Sequence, residues 1–276
     1  MSGIAFRSLI SSSAGNSTVV ANTQGALMID AGFSSQRKFR EALTEVRENF
    51  GHVNGVVITH AHRDHVNTNV LKVLRNMETP LFLSIETLGC LASNPERAEL
   101  LSKCNVEVFE DPPFEVGGFR ITSFSVPHSP SAPNRGFVIT CDGIRLGFAT
   151  DLNSTRGLAP RLADCDFIYF ESNHDLQMLQ MNPNPNSYYH LPNPKSADFL
   201  TSLTASGAGP RMVMLGHLSV ERNSVELAAR EFRKRMNGRP NAPMLQIAPP
   251  YSPSSTAIIN RTGTPKLMAG SPKALF

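Results

Sequence analysis

The chain reads as an α/β protein, and three observations predict that class. Short runs rich in β-branched and apolar residues recur along its length, as strands do. Segments with apolar residues at helical spacing alternate with them. The 276 residues, 41% hydrophobic and 18% charged, suffice to bury the core that such an alternation needs. The N-terminus has no apolar stretch behind a basic start, and no apolar run is long enough to cross a bilayer, which predicts a soluble cytoplasmic protein with no membrane partner. Cys90, Cys104, Cys141 and Cys165 are scattered without C-x-x-C spacing and read as reduced thiols. A net charge of +3 and a pI near 8.7 permit a polyanionic partner without demanding one.

In order, residues 4–10, 17–21 and 26–30 predict three strands, the first two joined by the small-residue loop 11–16. Hydroxyls and free amides in that loop suit a phosphate, with Asn16 as candidate, although a tight hairpin turn explains the composition nearly as well. Ser34 or Ser35 starts a helix with Phe39, Leu43, Val46 and Phe50 on one face. Residues 53–59 predict a buried strand, 69–77 a helix stopped by Pro80, and 81–84 a strand. Residues 86–103 are helical with a break at Asn94-Pro95, and 106–109 form a strand before Pro112-Pro113.

Residues 119–126 alternate as a half-buried strand ending at Pro127-His128. Residues 136–140 and 144–150 flank Cys141-Asp142-Gly143, a strong hairpin signal, and the second strand ends on Asp151. The strand at 166–171 leads into Ser172-Asn173-His174-Asp175. Pro and Asn at 182–194 are dense enough to exclude regular structure there, as in a loop over a site. A helix is expected over 195–205, a strand over 212–215 leading to Gly216-His217-Leu218-Ser219, and then a helix through Val225, Phe232 and Met236. Its basic run, Arg230, Arg233, Lys234 and Arg235 with Arg239 beyond, reads as a solvated face favoured by the helix dipole rather than a nucleic-acid footprint. Residues 245–248 can close a sheet. One domain is expected over 1–250, with 251–276 as an extended tail.

Chemistry concentrates at His60-Ala61-His62-Arg63-Asp64-His65, on the turn leaving a strand. Three imidazoles and a carboxylate within six residues are hard to explain by packing, because a buried polar group without a partner costs about 1–3 kcal/mol. A metal is the simplest partner: His60 and His62 can converge on one ion, while Asp64 and His65 reach a second. A surface histidine cluster or a purely structural metal site are the bland alternatives. Asp30 and Thr59, at strand ends, are placed to support ligand histidines from behind, although a turn or capping role explains Asp30 equally well locally.

His60, His62, Asp64, His65, His128, Asp151 and His217 each follow a predicted strand, and this order with Asp30 ahead of it resembles the metallo-β-lactamase superfamily over residues 4 to 248. The resemblance implies a four-layer αβ/βα sandwich with two metal ions at the edge of its two sheets. His60, His62 and His128 would bind the first ion, Asp64, His65 and His217 the second, and Asp151 would bridge them. A hydroxide between the ions would be the nucleophile, oriented by Asp64. Zinc is the expected metal and manganese the alternative. An acidic residue at 151 resembles ribonuclease Z-like and phosphodiesterase members rather than β-lactamases, which place a cysteine there.

Finer resemblance, to the YycJ/WalJ-like branch linked to DNA exonuclease activity, comes from Ser11-Ser12-Ser13-x-Gly15-Asn16-Ser17, Glu171-Ser172-Asn173-His174-Asp175 and Gly216-His217-Leu218-Ser219-x-Glu221. Asn16, Asn173, His174 and Ser219 are accordingly candidate substrate contacts. The chain departs from the branch at Ser129, where an Asp commonly follows the ligand His, and in the thin basic content of 186–196. His190 lies about where ribonuclease Z-like enzymes carry a general acid, with Glu171 or His174 as its support; an exposed loop histidine is the plain alternative.

The resemblance therefore implies a dinuclear phosphodiesterase acting on DNA, RNA or a nucleotide-derived phosphodiester. A glyoxalase II-like thioester hydrolase and a metal-stabilised binding protein without turnover are the alternatives. Di-iron redox relatives expect an acidic residue where His62 stands. The oligomeric state is left open, and a homodimer is compatible with the sequence.

Overall fold

A computed structural model describes residues 3–269 apart from 206, 208 and 240. The first half of the chain builds one sheet from β1 (Gly3–Ser12), β2 (Gly15–Asn22), β3 (Gly25–Ile29), β4 (Val53–Val57), β5 (Leu81–Ser84) and β6 (Val106–Phe109). The second sheet follows from β7 (Phe114–Val116), β8 (Phe119–Ser129), β9 (Ala132–Cys141), β10 (Ile144–Ala149), β11 (Phe167–Glu171), β12 (Met212–Gly216) and β13 (Met244–Ile247). The chain then returns to the first sheet with β14 (Thr256–Asn260) and β15 (Lys266–Met268).

Strand periodicity makes the layers. In β1, Ile4 and Phe6 face the other sheet while Ala5 and Leu9 face outward, because successive side chains alternate. The inner core joins Phe6, Leu27 and Ile29 to Phe119, Phe137, Phe167 and Tyr169 of the second sheet. Outside the first sheet, Phe39, Leu43 and Val46 of α1 (Gln36–Phe50) and Val70, Leu71 and Leu74 of α2 (Thr68–Leu74) complete another cluster with α3 (Ile85–Ala92) and α4 (Pro95–Leu101). Outside the second, α5 (Ala159–Leu162), α7 (Asn193–Ala205) and α8 (Val225–Met236) bury Leu162, Leu200 and Phe232; α6 (Leu176–Met181) buries none of its own residues. This is the expected four-layer αβ/βα sandwich.

Several local expectations are corrected. Residues 251–269 are no extended tail: β14 pairs antiparallel with β1, from Gly3↔Asn260 to Phe6↔Ala257, and Ala257 and Ile259 enter the inner core. The Pro, Ser and Gly around it mask a short β-branched run whose partner lies at the other end of the sequence. Residues 270–276 lie outside the described residues. The loop 11–16 shrinks to a turn at Ser13-Ala14, so Asn16 lies on β2. Residues 182–194 are partly regular: Pro185–Tyr189 is a 3-10 turn capped by Asn184, and α7 starts at Asn193, since proline is tolerated in a first helical turn.

Strands β3 to β6 run parallel, as do β10 to β13. Parallel strands bring their carboxyl ends to one edge, where ligands bind in open α/β sheets. Asp30, Asp151 and His217 follow β3, β10 and β12 with φ of 60°, 57° and 54°. Left-handed backbone costs an L-residue roughly 1 kcal/mol, and here it turns three polar side chains at that edge.

Candidate metal centre

The loop from His60 to His65 is braced from beneath. Thr59 donates its backbone N–H (2.8 Å) and its hydroxyl (3.0 Å) to Asp30 Oδ1, and Asp30 Oδ2 lies 2.7 Å from His65 Nδ1. Thr59 Oγ1 is also 3.0 Å from His60 Nδ1. Both rings are thus held at Nδ1 and turn Nε2 toward the sheet edge. Burial pushes the Asp30 carboxyl above its ordinary value, against the pull of His65 and Thr59. Asp30 therefore makes no helix cap; Ser35 caps α1.

His60, His62 and His128 form the first cluster. His60 Nε2 is 2.9 Å and His128 Nε2 3.3 Å from His62 Nδ1, and His128 Nδ1 lies 3.2 Å from the Tyr189 carbonyl. Burial lowers the pKa of all three rings, so they offer lone pairs rather than charge. Ring nitrogens converging at such separations match ligands about 2.0–2.1 Å from a common ion.

Asp64, His65, Asp151 and His217 form the second cluster. His65 Nε2 lies 3.2 Å from Asp151 Oδ2, and His217 Nε2 lies 3.3 Å from Asp151 Oδ1; Asp64 Oδ2 is 3.5 Å and 3.6 Å from those two nitrogens. Among the described residues, Asp151 Oδ2 and His217 Nε2 are buried without a hydrogen-bond partner. Leaving such atoms unsatisfied costs about 1–3 kcal/mol each, more when charged, so the donor set fits divalent cations. Without a cation, burial would lower His65 and His217, but Asp151 and its neighbouring carboxylates prevail: His65 lies well above its ordinary value and His217 is pushed up to about 10. Burial raises Asp151, yet His217 and His65 hold it well below its ordinary value.

A third group lies behind these. Glu171, fully buried at the end of β11, places Oε1 2.8 Å from His217 Nδ1 and 2.8 Å from His190 Nδ1, while Oε2 accepts from the backbone N–H of Leu152 and Leu191. Burial works against the Glu171 charge, but His190 and His217 bring its pKa down to about 2. For His190, the Glu171 charge outweighs burial and raises the pKa. The sequence offers Glu171 as one of two supports for His190 and as the first residue of Glu171-Ser172-Asn173-His174-Asp175, and its local signal is a single carboxylate ending the run Phe167-Ile168-Tyr169-Phe170.

A cleft of about 600 Å³ opens over the centre, lined by His62, Asp64, His128, Asp151, His190 and His217 together with Asn173 and Ser219. Two candidate substrate contacts fall elsewhere. Asn16 is buried, donating Nδ2 to Asp64 Oδ2 (3.2 Å) and lying 3.2 Å from His65 Nε2, because the strand it occupies runs beneath the ligand loop. His174 is buried, and its Nδ1 is 3.2 Å from Asn173 Oδ1, so it neither lines the cleft nor supports His190. Asn173 also donates Nδ2 to the His217 carbonyl (3.0 Å).

A profile described as "Beta-lactamase superfamily domain" matches residues 26–218. Over 253 residues the chain is 29% identical to exodeoxyribonuclease YycJ of Bacillus anthracis, covering 82% of this chain and 86% of that protein. It is 27% identical over 248 residues to exodeoxyribonuclease WalJ of Streptococcus pneumoniae, with the same coverage. Among solved structures, zinc-bound PqqB from Methylobacterium extorquens superposes with a TM-score of 0.70 at 17% identity, covering 91% of this chain and 99% of that one; it speaks to the fold alone.

Proposed function

The chain belongs to the β-lactamase superfamily, and from that membership and the geometry of its metal centre we propose that it is a dinuclear metal-dependent phosphodiesterase acting on nucleic acid, DNA foremost. The observation that carries this reading is Asp151, a buried carboxylate in the second ligand cluster with one oxygen toward His65 and the other toward His217, whose charge also acts on His60, His62 and His128 of the first. The exodeoxyribonuclease relatives support the choice of substrate.

In this reading His60, His62 and His128 hold one ion and Asp64, His65 and His217 the other, with Asp151 shared. Zinc suits the imidazole-rich donor set best, and manganese is the alternative. Held by these residues, two divalent cations would supply charge neutralisation at the phosphoryl oxygens and a nucleophilic water at neutral pH. Asp64, 22% exposed at its side chain and fixed by Asn16, orients the attacking water. As the P–O bond to the leaving group breaks, the leaving oxygen takes a proton from His190, whose Nδ1 is held by Glu171 so that the opposite nitrogen meets the cleft. Asn173 and Ser219 contact the substrate, and Asp30 and Thr59 hold the ligand histidines.

No helix among the described residues is long and apolar enough to cross a membrane. The four cysteines are free, which supports a reducing, cytoplasmic setting. The basic face of α8 stays outside this reading: Arg235 pairs with Asp198 and Glu231 within the chain.

The test is cleavage of end-labelled single- and double-stranded DNA and RNA by the zinc- or manganese-loaded protein, beside Asp151→Ala. Products that vanish in the variant support the reading and show polarity. A folded, metal-loaded protein that cleaves none of them overturns it.

A further inference from the structure

A second hollow, of about 520 Å³, lies between the later half of β8 and the segment that follows Asp151. Its walls grow directly out of the metal centre. Val126 and Pro127 line the hollow, while His128 and Ser129, the next residues of the same strand, line the cleft. The other wall leaves from Asp151, and Asn153 ties it to the first: its N–H donates to the Pro127 carbonyl at 2.9 Å and its Nδ2 to the His128 carbonyl at 3.2 Å. Further on, Leu158 and Leu162 are buried in one cluster with Phe124 and Val126 of β8, so both walls are anchored on the same sheet.

Charge distinguishes the hollow from the cleft. Arg156 and Arg161 line it, both exposed, and neither guanidinium has an ion-pair or hydrogen-bond partner among the described residues. Asp111 is the one acid among the described lining residues, and Arg135 Nη1 already meets it at 3.0 Å. In the cleft the balance is reversed: Arg222 is the one arginine or lysine among its described lining residues, and it pairs with Glu221 at 2.8 Å and donates to Asn182. Thr122 and Ser125 add hydroxyls to the hollow. Pairing of β7 with β8 stops at Ile121, so beyond it the edge of β8 away from β9 is open among the described residues and keeps free backbone N–H groups. Guanidinium, hydroxyl and backbone N–H are the groups that bind phosphate oxygens along a nucleic-acid strand.

We propose that this hollow is a phosphate subsite for a nucleic-acid strand whose scissile phosphate sits at the metal centre, with Arg156 and Arg161 holding backbone phosphates on one side of the cut. At about 3.3 Å per strand residue Ser125 lies about 10 Å from His128, so the arginines meet neighbouring phosphates and not the one being cleaved. A small phosphodiester has nothing to place there, whereas a strand that runs past the cut does. The inference rests on the phosphodiesterase reading and narrows its substrate to a polynucleotide, read by its backbone and not by its bases.

The test compares the metal-loaded wild type with two double variants, Arg156→Ala with Arg161→Ala, and Arg230→Ala with Arg233→Ala on the exposed face of α8 as a control of equal charge. The substrates are a short single-stranded DNA and methyl p-nitrophenyl phosphate, which carries no second phosphate. Strand binding is followed by fluorescence anisotropy beside turnover. Loss of Arg156 and Arg161 is expected to raise KM and weaken strand binding by about 10-fold with kcat retained, as for two exposed ion pairs. Each phosphate contact on a single strand is worth about 0.7 in salt slope, so raising salt from 50 to 200 mM weakens wild-type binding about sevenfold more than it weakens that variant. Turnover of the methyl ester stays at the wild-type rate, and the α8 variant matches wild type on both substrates.

Strand binding and KM unchanged without Arg156 and Arg161, or weakened equally in the α8 variant, overturn the inference and leave the phosphodiesterase reading standing. A parallel loss on the methyl ester also overturns it, because the arginines would then act on the metal centre itself. A strand that binds through the two arginines without being cut sinks the nuclease reading and keeps the subsite. A strand neither bound nor cut removes both.

Discussion

Glu171 Oε1 lies 2.8 Å from His217 Nδ1, and the same oxygen lies 2.8 Å from His190 Nδ1. One carboxylate therefore braces both a proposed metal ligand and the proposed general acid, and its other oxygen is pinned by two backbone N–H groups. The proposed ion site and the proposed proton donor are mechanically one unit.

Replacing Glu171 by Gln keeps the shape and removes the charge. Carboxylates behind metal-bound histidines are worth about 10–100-fold in metal affinity or activity. Glu171→Gln is expected to weaken binding of the second zinc by that order in a chelator competition titration, with the first zinc unaffected. Equal loss at both sites would show that Glu171 supports the fold rather than His217.

His190→Ala separates proton donation from metal binding. With a poorly leaving alkoxide, kcat is expected to fall about 10²–10⁴-fold. With p-nitrophenolate, which departs without a proton, the loss is small. Zinc content stays at the wild-type value. A uniform loss across leaving groups would rule out a general acid at this position.

Metal loading has a proton signature. In the metal-free protein His217 has a pKa of about 10, raised by Asp151, Asp64 and Glu171 against burial, and His65 is raised in the same direction. Relative to an unfolded histidine near 6.5, the His217 charge contributes stability fully below that pH and loses it as pH rises through about 10. A cation must displace these protons. Zinc added at neutral pH in weak buffer is expected to acidify the solution, and apparent affinity to rise with pH. Loading without proton release contradicts the assignment of His65 and His217 as ligands.

Gly216 precedes His217 where no side chain fits: a Cβ there would lie 2.1 Å from Tyr169 Oη and 2.8 Å from Ser11 Oγ. Ser11 Oγ in turn accepts from the His217 N–H at 2.7 Å and lies 2.5 Å from Tyr169 Oη. Gly216→Ala is expected to destabilise by about 1–3 kcal/mol, as overpacking does, and to lower zinc affinity. Urea unfolding and metal titration check the two effects separately.

Ile259 tests the last strands. It is fully buried in the inner core although it belongs to a stretch that composition assigns to a tail. Ile259→Ala is expected to cost about 2–5 kcal/mol in urea unfolding. A change near zero would mean that β14 does not dock on β1 in solution.

Local sequence by itself determined the α/β class, most strands, and the candidate ligands of the His60–His65 turn, because each of these has a short-range signature, whereas His128, Asp151 and His217 became candidates through their order along the chain and the resemblance it carries. Periodicity marks which face of a strand or helix is buried, and His60 to His65 crowd more imidazole into one turn than packing explains. Tertiary structure alone decided what those signatures leave open. Glu171 acquired its role from two histidines 19 and 46 residues further along the chain, Asn16 moved from a phosphate loop to a brace 48 residues from Asp64, and Thr256–Asn260 became a strand by pairing with Gly3–Phe6. Hydrogen-bond partners brought together by strand order and register carry no local pattern. They exist only once two sheets have packed and their carboxyl ends share an edge.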